Sequence, residues 1–158
     1  MFSVRKSFDI GLFAATAFAV VAAFGTFSSN DAYANGHHYK ERNAAMKSLG
    51  GNMKKLAGAV AGGNAADAEA AAKAISAIAA KTPALFKEKE IPAKSRAKPD
   101  IWDNMADFNA KAAAMGAAAD KVSASAASGT LGIDPKAVVG TIGATCGACH
   151  KVYRGPRP

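Results

Sequence analysis

The sequence predicts an all-α protein, folded as an antiparallel up-down four-helix bundle. Three observations carry that expectation. Beyond Ala34 the chain is rich in alanine and follows a 3.6-residue apolar period, with little β-branched alternation. Two of its segments carry apolar stripes that repeat every seven residues. The breaks between segments are mostly short and hold Gly, Asn, Asp or Pro, so successive helices turn back on one another.

The first helix is expected from about Tyr39 to Val60. Tyr39, Met46, Met53 and Val60 form one row of its stripe, and Arg42, Leu49 and Leu56 form the other. Gly50-Gly51 interrupts that helix at about 1 kcal/mol per glycine relative to alanine. Such a pair marks either a weak point or the close approach of something bulky. A Gly62-Gly63-Asn64 turn follows, with Asn64 placed to cap a second helix and Asp67 and Glu69 suited to its N-terminal dipole. Ile75, Ile78 and Leu85 share one face of that helix, and Pro83 is expected to kink or separate its last turn. Lys87 to Lys98 reads as a charged connection without period. The third helix opens at Pro99-Asp100 and closes at Ser128-Gly129. Its stripe has Ile101, Phe108, Met115 and Val122 in one row and Met105, Ala112 and Ala119 in the other. Asp134 then caps a fourth helix with Pro135 at its first position, and Val138, Ile142, Cys146, Cys149 and Tyr153 face inward.

The N-terminal region is read as processing, not fold. Arg5 and Lys6 precede an apolar run from Ile10 to Phe27, and Ala32-Tyr33-Ala34 places small residues where a signal peptidase cuts. Residues 1–34 are therefore expected to be a secretory signal peptide and 35–158 the bundle domain. The competing reading is an uncleaved membrane anchor. After cleavage no stable membrane insertion is expected.

Twenty Lys and Arg against 12 Asp and Glu give a net charge of +8. The leader contributes two charges of each sign, through Arg5, Lys6, Asp9 and Asp31, so the balance survives its removal. A basic surface suits nucleic acid, but export argues against nucleic acid as a partner. An acidic redox partner protein or a membrane surface fits better.

The chemistry lies at the C-terminal end. Cys146-Gly147-Ala148-Cys149-His150 is C-x-x-C-H, the attachment signature of haem c. Cysteines three apart share one helix face, so both thiols reach the same porphyrin edge, and the adjacent His150 reaches the iron. A disulfide would have to span a helical i,i+3 pair. A thioredoxin-like pair calls for a strand context that this sequence lacks. A zinc site needs four ligands, and the remaining histidines, His37 and His38, are expected at a frayed N-terminus. Arg42 and Met46, four apart on the first helix, lie one above the other. A seam arginine needs a partner: either a haem propionate, or solvent reached by snorkelling. Met46 is either a core filler or a thioether ligand at the sixth iron position, and periodicity alone does not separate it from Met53, Met105 or Met115.

These features resemble the cytochrome c′ family, the class II c-type cytochromes, across essentially the whole chain beyond Ala34. The resemblance rests on the C-terminal C-x-x-C-H, on Tyr153-Arg154 after it, and on Pro99-Asp100-Ile101-Trp102 with Phe108 following. It implies one covalent haem c on the last helix of the bundle. It also implies Arg42 beside a haem propionate, Met46 facing the distal side of the iron, and Arg154 as a further cofactor contact. The stretch Met46 to Met53 is most similar to the low-spin cytochrome c-556 branch, which has a ligating methionine. The metal ligands implied are thus His150 and Met46. The function expected is one-electron transfer in the periplasm of a Gram-negative bacterium, with a five-coordinate haem binding NO or CO as the alternative. Family members are often homodimers. No acid–base constellation sits beside the motif, so the chain is not expected to be an enzyme.

Overall fold

The computed structural model describes residues 36–157. The signal-peptide reading falls on residues 1–34 and lies outside them. Within the described residues the elements are α1 (His37–Ala61), α2 (Ala65–Leu85), α3 (Asp100–Asp103), α4 (Met105–Ala127) and α5 (Pro135–Tyr153). The four long helices form a ring: α1 packs on α2, α2 on α4, α4 on α5, and α5 closes onto α1, while the backbones of neither diagonal pair come close. This is an up-down bundle.

Local chemistry sets the ends. The Asn64 side chain accepts a hydrogen bond from the Asp67 N–H, and the Asp134 side chain accepts one from the Lys136 N–H. Those bonds satisfy donors that the first helical turn leaves open. Pro83 sits inside α2 without separating its last turn, which runs on to Leu85. The third helix differs from expectation. It is two helices, because Asn104 leaves helical geometry at φ −130° and ψ 48°. Its carbonyl accepts the Phe108 N–H and lies 3.4 Å from the Tyr153 hydroxyl. The heptad rows of Ile101 and Phe108 pass through this break, so the pattern conceals it. His37 and His38, expected in a frayed end, form the first turn of α1.

Packing is uneven around the ring. α2 and α4 meet through small side chains, among them Ala68, Ala72, Ala79, Ala119 and Ala126, all buried. Gly116 lies on the same seam, where a Cβ would stand 3.5 Å from that of Ala79, an ordinary contact. Leu56, Ile75 and Ile142 are completely buried in the main core. A second cluster of Phe86, Ile101, Phe108 and Tyr153 fills one end. Between the two clusters the bundle is hollow.

Candidate functional site

α5 brings Cys146, Cys149 and His150 to the wall of a cavity of about 550 Å³, well within the size range of cofactor pockets. The cysteines are free thiols, each half-buried, and burial pushes both thiols above their ordinary value. The Cys146 thiol lies 3.9 Å from the Met115 sulfur. Burial, followed by the positive charges of Arg154 and Arg96, pulls the His150 imidazole below its ordinary value. It is therefore neutral at neutral pH, the form that ligates metal.

α1 forms another part of the wall. Arg42, Met46, Leu49, Gly50 and Met53 all line the cavity. Met46 packs against both core clusters, and so bridges them. Met115 also lines the cavity, whereas Met105 packs on the second cluster away from it. A Cβ at Gly50 would meet nothing within 4 Å.

Arg42 is 3% exposed and does not snorkel. Its guanidinium donates to the Glu90 carbonyl and, at 3.5 Å, to the Glu88 carbonyl. It lies 5.1 Å from the Phe86 ring and 5.9 Å from the Trp102 ring. Burial lowers its pKa, and the Glu90 carboxylate partly offsets that. Glu90 is tied in turn to α1 by accepting the Tyr39 N–H at 2.8 Å. The charged connection thus grips α1 beside the cavity, a role its aperiodic sequence did not signal.

The same connection closes the end near His150. Lys98 N–H donates to the Tyr153 carbonyl, and Gly155 N–H donates to the Arg96 carbonyl at 2.7 Å. Ala97 and Arg154 pair as an isolated bridge. Arg96 and Arg154 both line the cavity. Arg96 had no periodic signal to mark it. Tyr153 packs edge-on to Phe108 and donates its hydroxyl to Asp107 at 2.6 Å. That bond pushes the tyrosine up to about 12 and holds the Asp107 carboxyl below its usual range.

The residues fit a haem. The hollow is largely apolar, two thiols one helical turn apart stand on one wall beside a neutral imidazole, and arginines border it. An all-α bundle with this donor set defines a c-type haem protein with its attachment motif on the last helix. The chain belongs to the Cytochrome C′ family, whose model matches residues 37–154. Its cofactor is accordingly a covalently attached haem c.

The chain is 42% identical over 118 residues to a cytochrome c-556 of Agrobacterium tumefaciens (strain II Chrys), covering 73% of this chain and 94% of that one. It is 36% identical over 116 residues to a cytochrome c′ of Pararhodospirillum photometricum, covering 72% and 92%. Among solved structures, cytochrome c′ from Thermochromatium tepidum superposes with a TM-score of 0.65 at 32% identity, covering 75% of this chain and 95% of that one. The nitric oxide complex of a leucine-to-alanine variant of cytochrome c prime from Alcaligenes xylosoxidans gives 0.64 at 28% identity, covering 76% and 94%.

Proposed function

We propose that this protein is a periplasmic one-electron carrier in which haem is bound through Cys146 and Cys149, with His150 and Met46 as the two iron ligands. The observation that carries the reading is that Met46 lines the same cavity as the Cys146–His150 motif. The bound haem supplies the one-electron couple of its iron. His150 offers a neutral imidazole nitrogen, and Met46 offers a soft thioether that favours the reduced metal. Arg42, buried and charged on the cavity wall, is the counter-charge for a propionate, and Arg154 lines the same cavity. The basic surface suits an acidic redox partner. Among the described residues, no helix is long and apolar enough to cross a membrane.

A second reading has its own support: proteins of this fold include a nitric oxide complex. In that reading Met46 fills space without ligating, and the protein binds NO or CO. Visible spectra of the oxidised and reduced protein, before and after CO, separate the two. The electron-carrier reading requires six-coordinate, low-spin spectra that CO changes little. A high-spin ferrous protein that takes up CO as freely as Met46→Ala removes the ligation claim and leaves gas binding. Intact mass should show one haem added and residues 1–34 absent.

A further inference from the structure

The end of the bundle beside His150 gathers positive charge. Arg96, in the connection before α3, donates from Nε to the carbonyls of Gly155 and Pro156, at 2.9 and 3.1 Å. Together with the Ala97–Arg154 bridge, these bonds fix the tail after α5 along that connection. Lys151 stands in the last turn of α5, and Lys151, Arg154 and Arg157 are all exposed. Arg154 and Arg157 lie within electrostatic reach of Arg96, and Arg96 and Arg154 within reach of His150. Among the described residues no carboxylate forms an ion pair with any of these four cations. The helix dipole favours cations at the end of α5, which accounts for Lys151 and Arg154. It does not account for Arg96 or Arg157, which come from outside the helix. Like charges held together raise the energy of this face, and a dense anionic surface lowers it.

We propose that Arg96, Lys151, Arg154 and Arg157 form the docking face for an acidic, carboxylate-rich redox protein. The proposal rests on the electron-carrier reading and locates its partner. Position decides the class of partner. Arg96 and Arg154 line the same cavity as His150, so a protein docked here stands close to the haem, where the path for an electron is short. A lipid headgroup gains nothing from that position. The guanidinium forks match carboxylates two bonds at a time. Val152, next to Lys151 and 39% exposed, adds the apolar contact of a protein interface. Charges at such a rim speed the encounter more than they tighten the complex, which suits a carrier that must dock and leave. In the exchange one electron leaves ferrous iron, which becomes ferric, and reduces the partner's one-electron metal centre. No atom or proton is transferred.

The test uses the reduced, haem-loaded protein, with oxidised plastocyanin, a small acidic copper(II) protein, as probe. Stopped flow reads the second-order rate as salt rises, and the haem spectrum and midpoint potential of each variant are measured alongside. The wild-type rate should fall about tenfold between low and high salt. Lys151→Gln with Arg157→Gln, both outside the cavity wall, should remove most of that fall, and adding Arg96→Gln should remove more. Lys121→Gln with Lys136→Gln takes the same charge from around the other end of α5 and should leave the fall in place. If the two pairs act alike, net charge alone sets the rate and the face is wrong. It is wrong as well if phosphatidylglycerol vesicles bind the wild type and not the Lys151–Arg157 variant while the plastocyanin rate stays the same, because the surface is then a membrane site. A high-spin wild-type protein that takes up CO freely overturns the proposal through the carrier reading instead, and the spectrum shows which failure occurred.

Discussion

Replacing Arg42 with alanine tests how the connection between α2 and α3 is held to α1. The guanidinium bond to the Glu90 carbonyl is charge-assisted and contributes about 1.5–3 kcal/mol. The contact with the Glu88 carbonyl, at 3.5 Å, is at the limit of hydrogen bonding and adds little. Phe86 and Trp102, 5.1 and 5.9 Å away, contribute about 0.5–2 kcal/mol as desolvated cation–π contacts. Together these predict a loss of about 2–5 kcal/mol, a large share of the roughly 5–15 kcal/mol typical of a domain. Urea unfolding of the haem-loaded protein, followed by circular dichroism, reads that loss as a lowered midpoint. Arg42→Lys keeps the charge but neither the planar face nor the fork, and should fall between wild type and alanine. Freed from α1, the connection should also become open to trypsin at Lys87, Lys89 and Lys94. The redox potential, or its pH dependence, should move as well, because a nearby cation favours an ionised propionate. A cost below about 1 kcal/mol would refute the anchoring argument built on the Glu90 bond. An unchanged potential and pH dependence would refute the propionate pairing.

Met46→Ala should give a high-spin protein with a lower potential and ready CO uptake, seen in the visible spectrum, whereas truncating Met115, 8% exposed, should mainly lower stability by about 2–5 kcal/mol. Gly116→Ala should stabilise by about 0.5–1 kcal/mol, because α4 gains a better helix former and the new Cβ meets Ala79 at ordinary contact distance; a lowered urea midpoint contradicts this. Tyr153→Phe should change stability at both pH extremes. The tyrosine, raised from 10 to about 12, stabilises the fold fully below pH 10 and loses that contribution as pH rises toward 12. Asp107, held below its usual value of 3.8, contributes above that value and loses its contribution as pH falls through the folded value. Urea midpoints across pH should show both limbs weakened in the phenylalanine variant.

Much of the bundle was legible because each helix carries its own stripe and its own punctuation. Asn64 and Asp134 cap where the residue types predict. The C-x-x-C-H motif was legible because its spacing is the chemistry. The break at Asn104 was not, since a heptad row records which side chains are buried and not whether the backbone between them stays helical. Nor was the work of residues 87–98. Glu88 and Glu90 hold Arg42 through backbone carbonyls, which every residue possesses and no pattern advertises. The methionines sit between these cases: the period places four of them on the seam, and only the three-dimensional wall separates Met105 from the rest.

The contrast between the alanine-lined seam of α2 and α4 and the hollow beside α5 bears on what the cofactor does for the fold. α2 and α4 bury their small side chains against each other, and none of those alanines lines the cavity. α5 turns part of its inner face toward the hollow, so its docking lacks a centre until that space is filled. The two thiols, each half-buried, stand on that unfilled side. Haem, once attached, completes that part of the core. A chain that never receives it should be looser along α5, and limited proteolysis of haem-free and haem-loaded protein reads the difference.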